Sequence, residues 1–146
     1  MNYKDLLIHF SPADMPELYK DWLWLITPED VSKAVAMTSF GDLFFIHESG
    51  KIYFLNTTEG TARSCTHTYA GARSLMASRD GLTDYLLSNL VLEMREKGST
   101  LSDGELYSFK VYPSAPELGK IGNIQILPIE TALSVSGQRQ KQMKQG

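Results

Sequence analysis

Apolar residues in the first third of the chain recur at the spacing that is typical of amphipathic helices. Residues 14–16 supply an aspartate and a proline where a helix can begin, and Leu18, Trp22 and Leu25 follow at helical intervals. The Thr-Pro sequence at residues 27–28 ends this run. The pattern therefore predicts an N-terminal helix over residues 14–27.

A second helix is predicted directly after the first. Residues 27–30, Thr-Pro-Glu-Asp, offer a capping hydroxyl, a proline for the first turn and two carboxylates near the positive end of the helix dipole. Val31, Ala34 and Val35 would form its inward stripe. Both helices need a surface to cover, because each is apolar on one side only.

A hairpin follows, and it is predicted to be the centre of an antiparallel sheet at residues 40–56. Residues 43–46 are apolar and His47 leads into a Glu-Ser-Gly turn, and residues 51–56 return as a segment rich in aromatic and β-branched side chains. Residues 61–68 are less apolar, and we expect them to add a third strand at an edge of the sheet.

The longest amphipathic segment spans residues 80–97 and is predicted to be one helix covering one face of the sheet. Its apolar residues lie four apart, two more widen the stripe, and Gly98 is a natural stop. The inward residues are Leu82, Tyr85, Leu86, Leu90, Leu92 and Met94. Because neighbouring strand residues point to opposite faces, a sheet covered on one face would bury only one of Phe44 and Phe45.

The last third of the chain begins with a predicted half-buried strand at residues 106–112, where apolar and polar residues alternate before Pro113. A loop, another strand and a final helix are predicted at residues 114–120, at residues 121–127 and from residue 128 onward. The inward residues of that helix would be Ile129, Ala132 and Leu133. The fold class is therefore α+β, a single domain over residues 1–146 with N-terminal helices, an antiparallel sheet built on a central hairpin, one long covering helix and a C-terminal helix.

Length and composition are those of one ordinary globular domain. The chain has 146 residues, of which 42% are hydrophobic and 21% are charged. Its longest apolar runs are far shorter than the ~20 residues of a membrane-spanning helix, and residues 1–5 do not lead into a secretory signal. The lone Cys65 cannot form an internal disulfide. We therefore expect a cytoplasmic protein without a membrane contact.

Charge is distributed unevenly along the chain. The net charge is −3, but residues 1–136 hold 11 basic and 17 acidic residues, whereas residues 137–146 carry three basic residues and no acidic one. We expect this basic tail to be a solvated helix end or a frayed terminus. The acidic body repels nucleic-acid phosphates and attracts basic proteins, so we expect a protein partner and no direct nucleic-acid binding.

The spacing of reactive residues indicates no catalytic, cofactor or metal site. Cys65 and His67 lie two apart and could share a strand face, but no motif supplies the third residue that would orient a thiolate and its base. His9, His47 and His67 lack the spacing of metal ligands, and alternation should turn Glu48 to the face opposite His47. We therefore expect a protein that is not an enzyme.

Turn glycines, sheet aromatics and strand ends occur together in several segments of the chain. These are residues 40–45 with 48–56, residues 101–109, and residues 122–130 with 136–138. They resemble a bacterial domain of unknown function at the C-terminal end of type VI secretion immunity proteins, and residues 24–31 resemble the end of the GAD-like segment that usually precedes it. The resemblance covers residues 22–140. It implies a helical GAD-like remnant at residues 1–38 packed on an α+β immunity-type domain at residues 39–146.

The resemblance implies an immunity protein, which binds a cognate secreted toxin, often a DNase, inside the cell that makes it and neutralises it. Electrostatic attraction would be followed by steric blockade of the toxin's active surface. Acidic residues at predicted turns and loops are the candidate contacts, because turns project beyond the sheet. These residues are Glu48, Glu59, Asp103, Glu105 and Glu117. Two alternatives remain open: a ligand-binding or regulatory module that uses the concave face of the sheet, and a small enzyme.

Overall fold

A five-stranded antiparallel sheet lies at the centre of the computed structural model, which describes residues 2–110 and 121–145. The strands lie in the order β1-β2-β3-β4-β5, so each pairs with its neighbours along the chain. They span Leu7–Ile8, Val31–Thr38, Leu43–His47, Ile52–Asn56 and Thr61–Thr66. Helices pack on both sides of this sheet, and the predicted α+β class is confirmed.

The predicted hairpin is the β3–β4 pair. Phe44 lies opposite Phe54, and Phe45 lies opposite Tyr53. Gly50 closes the turn with a φ of +88°, a conformation that glycine adopts without steric strain. Strand β5 pairs with β4 at the edge of the sheet. The central position of β3 and the edge position of β5 confirm both strand predictions.

The second predicted helix is wrong, because residues 31–38 form strand β2 between β1 and β3. Two irregularities in the register, one after Val31 and one after Ala34, explain the misleading pattern. Each places an extra residue in β2 and interrupts the alternation of faces, so that apolar residues recur three and four apart as they do in a helix. The predicted helix start opens a single 3-10 turn, Pro28–Asp30.

The first predicted helix is broken into short pieces. A single helical turn, α1, lies between two 3-10 turns, and the three span Met15–Leu18, Pro12–Asp14 and Lys20–Trp22. The buried hydroxyl of Tyr19 donates a hydrogen bond of 2.8 Å to the carbonyl of Gly41. The indole of Trp22, also buried, donates one of 3.0 Å to the carbonyl of Leu133. Tertiary hydrogen bonds of these two side chains, rather than a continuous helical ladder, hold this segment in place.

The long helix predicted at residues 80–97 is interrupted near its middle. A π-helical segment, Gly81–Tyr85, is followed by a break and then by α3, Ser88–Glu96. Leu87 has a φ of +53°, a left-handed conformation that separates the two helical segments. Leu86 is fully buried as predicted, whereas Leu92 is exposed and does not widen the inward stripe.

An additional helix, α2 (Tyr69–Ala77), packs beside β5 and was not anticipated from the sequence. Thr68 caps it, because its hydroxyl accepts a hydrogen bond of 2.9 Å from the N–H of Gly71. Ala72 and Met76 are its buried residues. Together with α3, this helix takes the covering role that the sequence assigned to one long helix.

The last third of the chain contributes a two-stranded sheet and a helix. These elements are β6 (Glu105–Phe109), its partner β7 (Ile124–Pro128) and α4 (Ile129–Gln145). The N–H of Tyr107 donates to the carbonyl of Ser39, which ties β6 to the end of β2. Residues 111–112 of the predicted strand and the predicted loop at 114–120 lie outside the described residues.

Helix α4 buries more of its length than expected. The predicted inward residues Ile129, Ala132 and Leu133 are buried. Gly137 and Gln140, within the supposedly solvated tail, are buried as well. The side-chain amide of Gln140 donates to the carbonyls of Thr57 and Thr58. The prediction of a solvated helix end therefore holds for residues 141–144, which are exposed. It is wrong for residues 137–140, because Gly137 and Gln140 are buried.

Both faces of the five-stranded sheet are covered, which corrects the expectation of one covered face. On one face Phe44 packs in a cluster with residues of α2, α3, β6 and β7. On the other face Phe45 packs in a cluster with residues of the N-terminal segment and α4. Both phenylalanines are fully buried. Ligand binding on a concave sheet face, the alternative function, would therefore need a surface away from the covered centre of the sheet.

We expect Gly137→Ala to weaken the contact between α4 and the N-terminal segment. A Cβ at this position would lie 2.6 Å from the carbonyl oxygen of Asp21, which is closer than real Cβ contacts. Overpacking costs about 1–3 kcal/mol, against a gain of about 1 kcal/mol in helix propensity. The free energy of unfolding in urea should therefore fall.

The matched control for this substitution is Gly122→Ala, where nothing lies within 4 Å of the added methyl group. We expect the control to leave the free energy of unfolding nearly unchanged. Higher stability of Gly137→Ala than of the wild type would show that the two segments can separate at little cost.

Candidate functional site

An open groove of about 430 Å³ runs between the N-terminal segment and the start of α4. A second groove, of about 340 Å³, continues from it, and the two share Leu18 and Glu130 in their linings. We call the two together the acidic groove. Its charged residues are Asp14, Glu17, Lys20, Asp21 and Glu130. The acidic groove thus carries four carboxylates and one ammonium group in its lining.

Two tryptophans hold the N-terminal wall of the acidic groove against α4. The indole N–H of Trp22 donates to the carbonyl of Leu133, and that of Trp24 donates to the carbonyl of Gly137 at 3.2 Å. The two rings also stack on each other, with their centroids 5.7 Å apart. The two indoles therefore fix this segment on α4, and Lys20 and Asp21, which precede them, line the groove.

The opposite wall depends on where α4 begins. The N–H of Ile129 donates a hydrogen bond of 2.9 Å to the carbonyl of Gly104, which fixes the first turn of the helix beside the β6 strand. Glu130 therefore lies in this first turn, where a carboxylate interacts favourably with the helix dipole. Gly104 itself lines the groove.

Three acidic residues of the groove, Glu17, Asp21 and Glu130, act on the charge of Lys20. Lys20 Nζ lies 3.0 Å from Glu17 Oε1, and both side chains are mostly exposed. The hydrogen bond and charge of Glu17 raise the pKa of Lys20, and the charges of Asp21 and Glu130 raise it further. One lysine is therefore surrounded by more negative charge than it can balance, which leaves acceptors for cationic side chains of a partner.

The acidic residues proposed from the sequence do not lie on one surface. Glu48 is exposed in the β3–β4 turn, and Glu59 is exposed in the β4–β5 turn at the other end of β4. Asp103 is exposed, and Glu105 accepts a hydrogen bond of 2.7 Å from the N–H of Ser102. Of the five, this pair borders the acidic groove, because it flanks Gly104. The fifth residue, Glu117, lies outside the described residues.

Sequence reasoning missed the residues that form the acidic groove. Glu17 and Asp21 are four apart, and that spacing was the one available sign that they share a face of the N-terminal segment. Nothing in the sequence connects either of them with Glu130, which reaches the groove only because α4 packs on Trp22 and Trp24.

Cys65 does not have the surroundings of a nucleophile. Its thiol lies 3.4 Å from the carbonyl of Ile52 and is half-buried, and burial raises its pKa. A reactive cysteine needs the opposite shift, towards the thiolate. His67 is exposed and follows β5, which ends at Thr66, so the strand alternation that would align the two side chains does not extend to it.

One group of side chains among the described residues could hold a metal ion: Asp30, His47 and Glu48. Their ligand atoms all lie within 4.8 Å of one another. Alternation placed Glu48 on the face opposite His47, but β3 ends at His47 and the turn brings the two to the same side. Hydrogen bonds from Thr27 hold the pKa of the Asp30 carboxyl below its ordinary value.

Comparisons with known proteins give no family assignment. No protein-family model matches the chain, and no curated protein matches it. Within residues 2–110 and 121–145, no helix has the length and apolar character needed to cross a bilayer.

Proposed function

We propose that this protein is an immunity-type binding protein that captures a basic toxin through the acidic groove and covers the toxin's active surface. The observation that carries the proposal is the open groove in which Glu17, Asp21 and Glu130 surround Lys20. Such a surface can accept arginine and lysine side chains without first breaking a buried ion pair, since its charges are already hydrated.

The net charge of the chain supports the same partner chemistry. Residues 1–136 carry a net charge of −6, so a cationic partner is attracted at long range before any contact forms. A toxin that cleaves DNA must hold phosphates with basic side chains, and it therefore presents the complementary surface. The resemblance to type VI immunity domains adds the biological setting, which is neutralisation inside the cytoplasm of the bacterium that makes the toxin.

Charge reversal in the groove should slow binding. We expect the triple variant Glu17→Lys, Asp21→Lys, Glu130→Lys to lower the association rate about tenfold or more at low salt and to flatten its salt dependence. The fold should persist, because exposed ion pairs contribute only about 0–1 kcal/mol. The partner in the assay is the product of the neighbouring open reading frame, and the readouts are surface plasmon resonance and survival on co-expression.

The control is the double variant Glu48→Lys, Glu59→Lys, which reverses two charges at the exposed sheet turns, against three in the groove variant. We expect it to retain most of the association rate, apart from the small loss caused by net charge. A larger loss of association rate in the control than in the groove variant would show that the toxin binds at the turns rather than in the groove. If the wild-type protein neither binds the neighbouring product nor protects against it, the immunity proposal is wrong.

A further inference from the structure

Backbone pairing brings together three potential metal ligands at one end of the sheet, and none of the three lines the acidic groove. Asp30 ends the turn before β2, and His47 is the last residue of β3. Val31, the first residue of β2, pairs with His47. The N–H of Glu48 donates a hydrogen bond of 3.0 Å to the carbonyl of Asp30. The three side chains therefore leave from chain segments that are hydrogen-bonded to each other.

The carboxylate of Asp30 is held in one orientation. Its Oδ2 accepts a hydrogen bond of 2.9 Å from the N–H of Thr27 and one of 3.1 Å from the hydroxyl of the same residue. The other oxygen, Oδ1, is the one that faces Nε2 of His47, at 4.0 Å. The capping interaction thus uses one carboxylate oxygen and presents the other to the imidazole.

The imidazole of His47 is also fixed. Its ring stacks on that of Tyr53, with centroids 4.2 Å apart and planes inclined by 12°, and only 19% of the side chain is exposed. Nδ1 lies 2.9 Å from the hydroxyl of Ser49, whose oxygen can accept a hydrogen bond from Nδ1–H when Nε2 binds a metal. A histidine ligand commonly donates its second N–H in this way. In that state Nδ1 carries a proton, so it no longer accepts the hydrogen bond of 3.1 Å from the N–H of Ser49.

The separation of Nε2 and Oδ1 is suited to a bridging ion. At 4.0 Å the two atoms are too far apart for a hydrogen bond. Two ligands of a tetrahedral zinc ion, with bonds of about 2.0–2.1 Å, lie roughly 3.3 Å apart, so a shift of less than about 1 Å would seat the ion. Glu48 is exposed and lies in the turn after β3, so its carboxylate can approach the ion from the solvent side.

From these contacts we infer that Asp30, His47 and Glu48 bind a divalent transition-metal ion, with Zn²⁺ as the best match. One imidazole nitrogen and two carboxylate oxygens suit zinc, whereas Mg²⁺ and Ca²⁺ prefer oxygen ligands alone. Three protein ligands leave a coordination position for water or for a group from a partner protein. The site does not depend on the proposed function, since it shares no residue with the acidic groove.

Isothermal titration of the full chain, stripped of metal and without an affinity tag, tests the site with ZnCl₂ and MgCl₂ as probes. We expect one zinc ion per chain and much weaker binding of magnesium. His47→Gln and Asp30→Asn should each lower the zinc affinity about tenfold or more. Co²⁺ in place of zinc should give the visible absorption of a low-coordinate site, and the amide resonance of Ser49 should shift when metal binds.

The controls separate this site from other zinc-binding groups and from the groove. His67→Gln removes an exposed histidine elsewhere and should leave the zinc affinity unchanged, as should the triple groove variant. Circular dichroism in the absence of metal checks that Asp30→Asn and His47→Gln are folded. The inference is overturned if the wild-type protein does not bind zinc, or if folded His47→Gln and Asp30→Asn bind zinc as tightly as the wild type does.

Discussion

Replacing either Phe44 or Phe45 with alanine is expected to lower the free energy of unfolding by about 3–5 kcal/mol. The two side chains are neighbours on the central strand, point to opposite faces and are both fully buried. Phe44 contacts Phe54 and Tyr85 on one face, with ring centroids 4.7 and 5.8 Å apart. Phe45 packs with Tyr53 and the α4 cluster on the other. Each truncation therefore opens a cavity in a different cluster.

Urea denaturation of both variants measures these losses. Tyr69→Ala is the control, because the Tyr69 side chain is exposed and its loss should cost less than about 1 kcal/mol. A large loss for one phenylalanine and a negligible loss for the other would mean that only one face of the sheet is covered in solution.

The second large effect is expected at Asp42, which is buried and forms no salt bridge with any residue that the structure describes. Its Oδ1 accepts two hydrogen bonds of 2.7 Å from Thr57, one from the N–H and one from the hydroxyl. Thr38 donates a longer one, of 3.4 Å, to Oδ2. Burial raises the pKa of the carboxyl from 3.8 to about 6, since the hydrogen bonds only partly offset the loss of hydration.

The sign of the pH dependence follows from this shift. Between pH 4 and 6 the folded protein holds a proton on Asp42 that the unfolded chain has released, so stability falls as the pH rises through this window. A shift of this size corresponds to about 2–3 kcal/mol at neutral pH. Asp42→Asn keeps an acceptor for Thr57 and carries no charge, so it should be more stable than the wild type at pH 7 and lose this advantage towards pH 4.

Thermal and urea unfolding of the wild type and Asp42→Asn across pH 4–7 give the required difference. Asp42→Ala is the second comparison, because it leaves the buried N–H and hydroxyl of Thr57 unpaired. It should be less stable than the wild type by about 2–4 kcal/mol near pH 4, and this deficit should shrink towards pH 7 as the wild type itself loses stability. A constant difference between Asp42→Asn and the wild type over this range would mean that the pKa of Asp42 is not raised.

The fold was predictable from sequence where local pattern and tertiary structure agree. The β3–β4 hairpin follows from its alternation and from the turn at Gly50, and the inward residues of α4 follow from helical spacing. Strand β2 was not predictable in this way, because its two register irregularities give apolar residues a helical spacing. The break at Leu87 carries no sequence signal, since leucine rarely adopts a left-handed conformation.

The candidate sites depend still more on tertiary structure. Glu17 and Glu130 are far apart in sequence and meet only through the packing of α4 on the N-terminal segment. Asp30 and His47 become neighbours only when β2 pairs with β3, and that pairing was hidden by the helical pattern of residues 31–38. Residue types and spacing could therefore indicate the acidic character of the protein but not the places where its charges converge.

The hydrogen bond between Trp22 and Leu133 also constrains the order in which parts of the chain can fold during synthesis. It joins positions that are 111 residues apart, whereas β2, β3, β4 and β5 pair through short connections. A chain emerging from the ribosome can form the sheet and pack α2 and α3 on one face early, but the cluster around Phe45 and Trp22 is completed only when α4 has been made. Until then the N-terminal segment alone covers this face, and the surface that α4 will bury is exposed to chaperones and to other nascent chains.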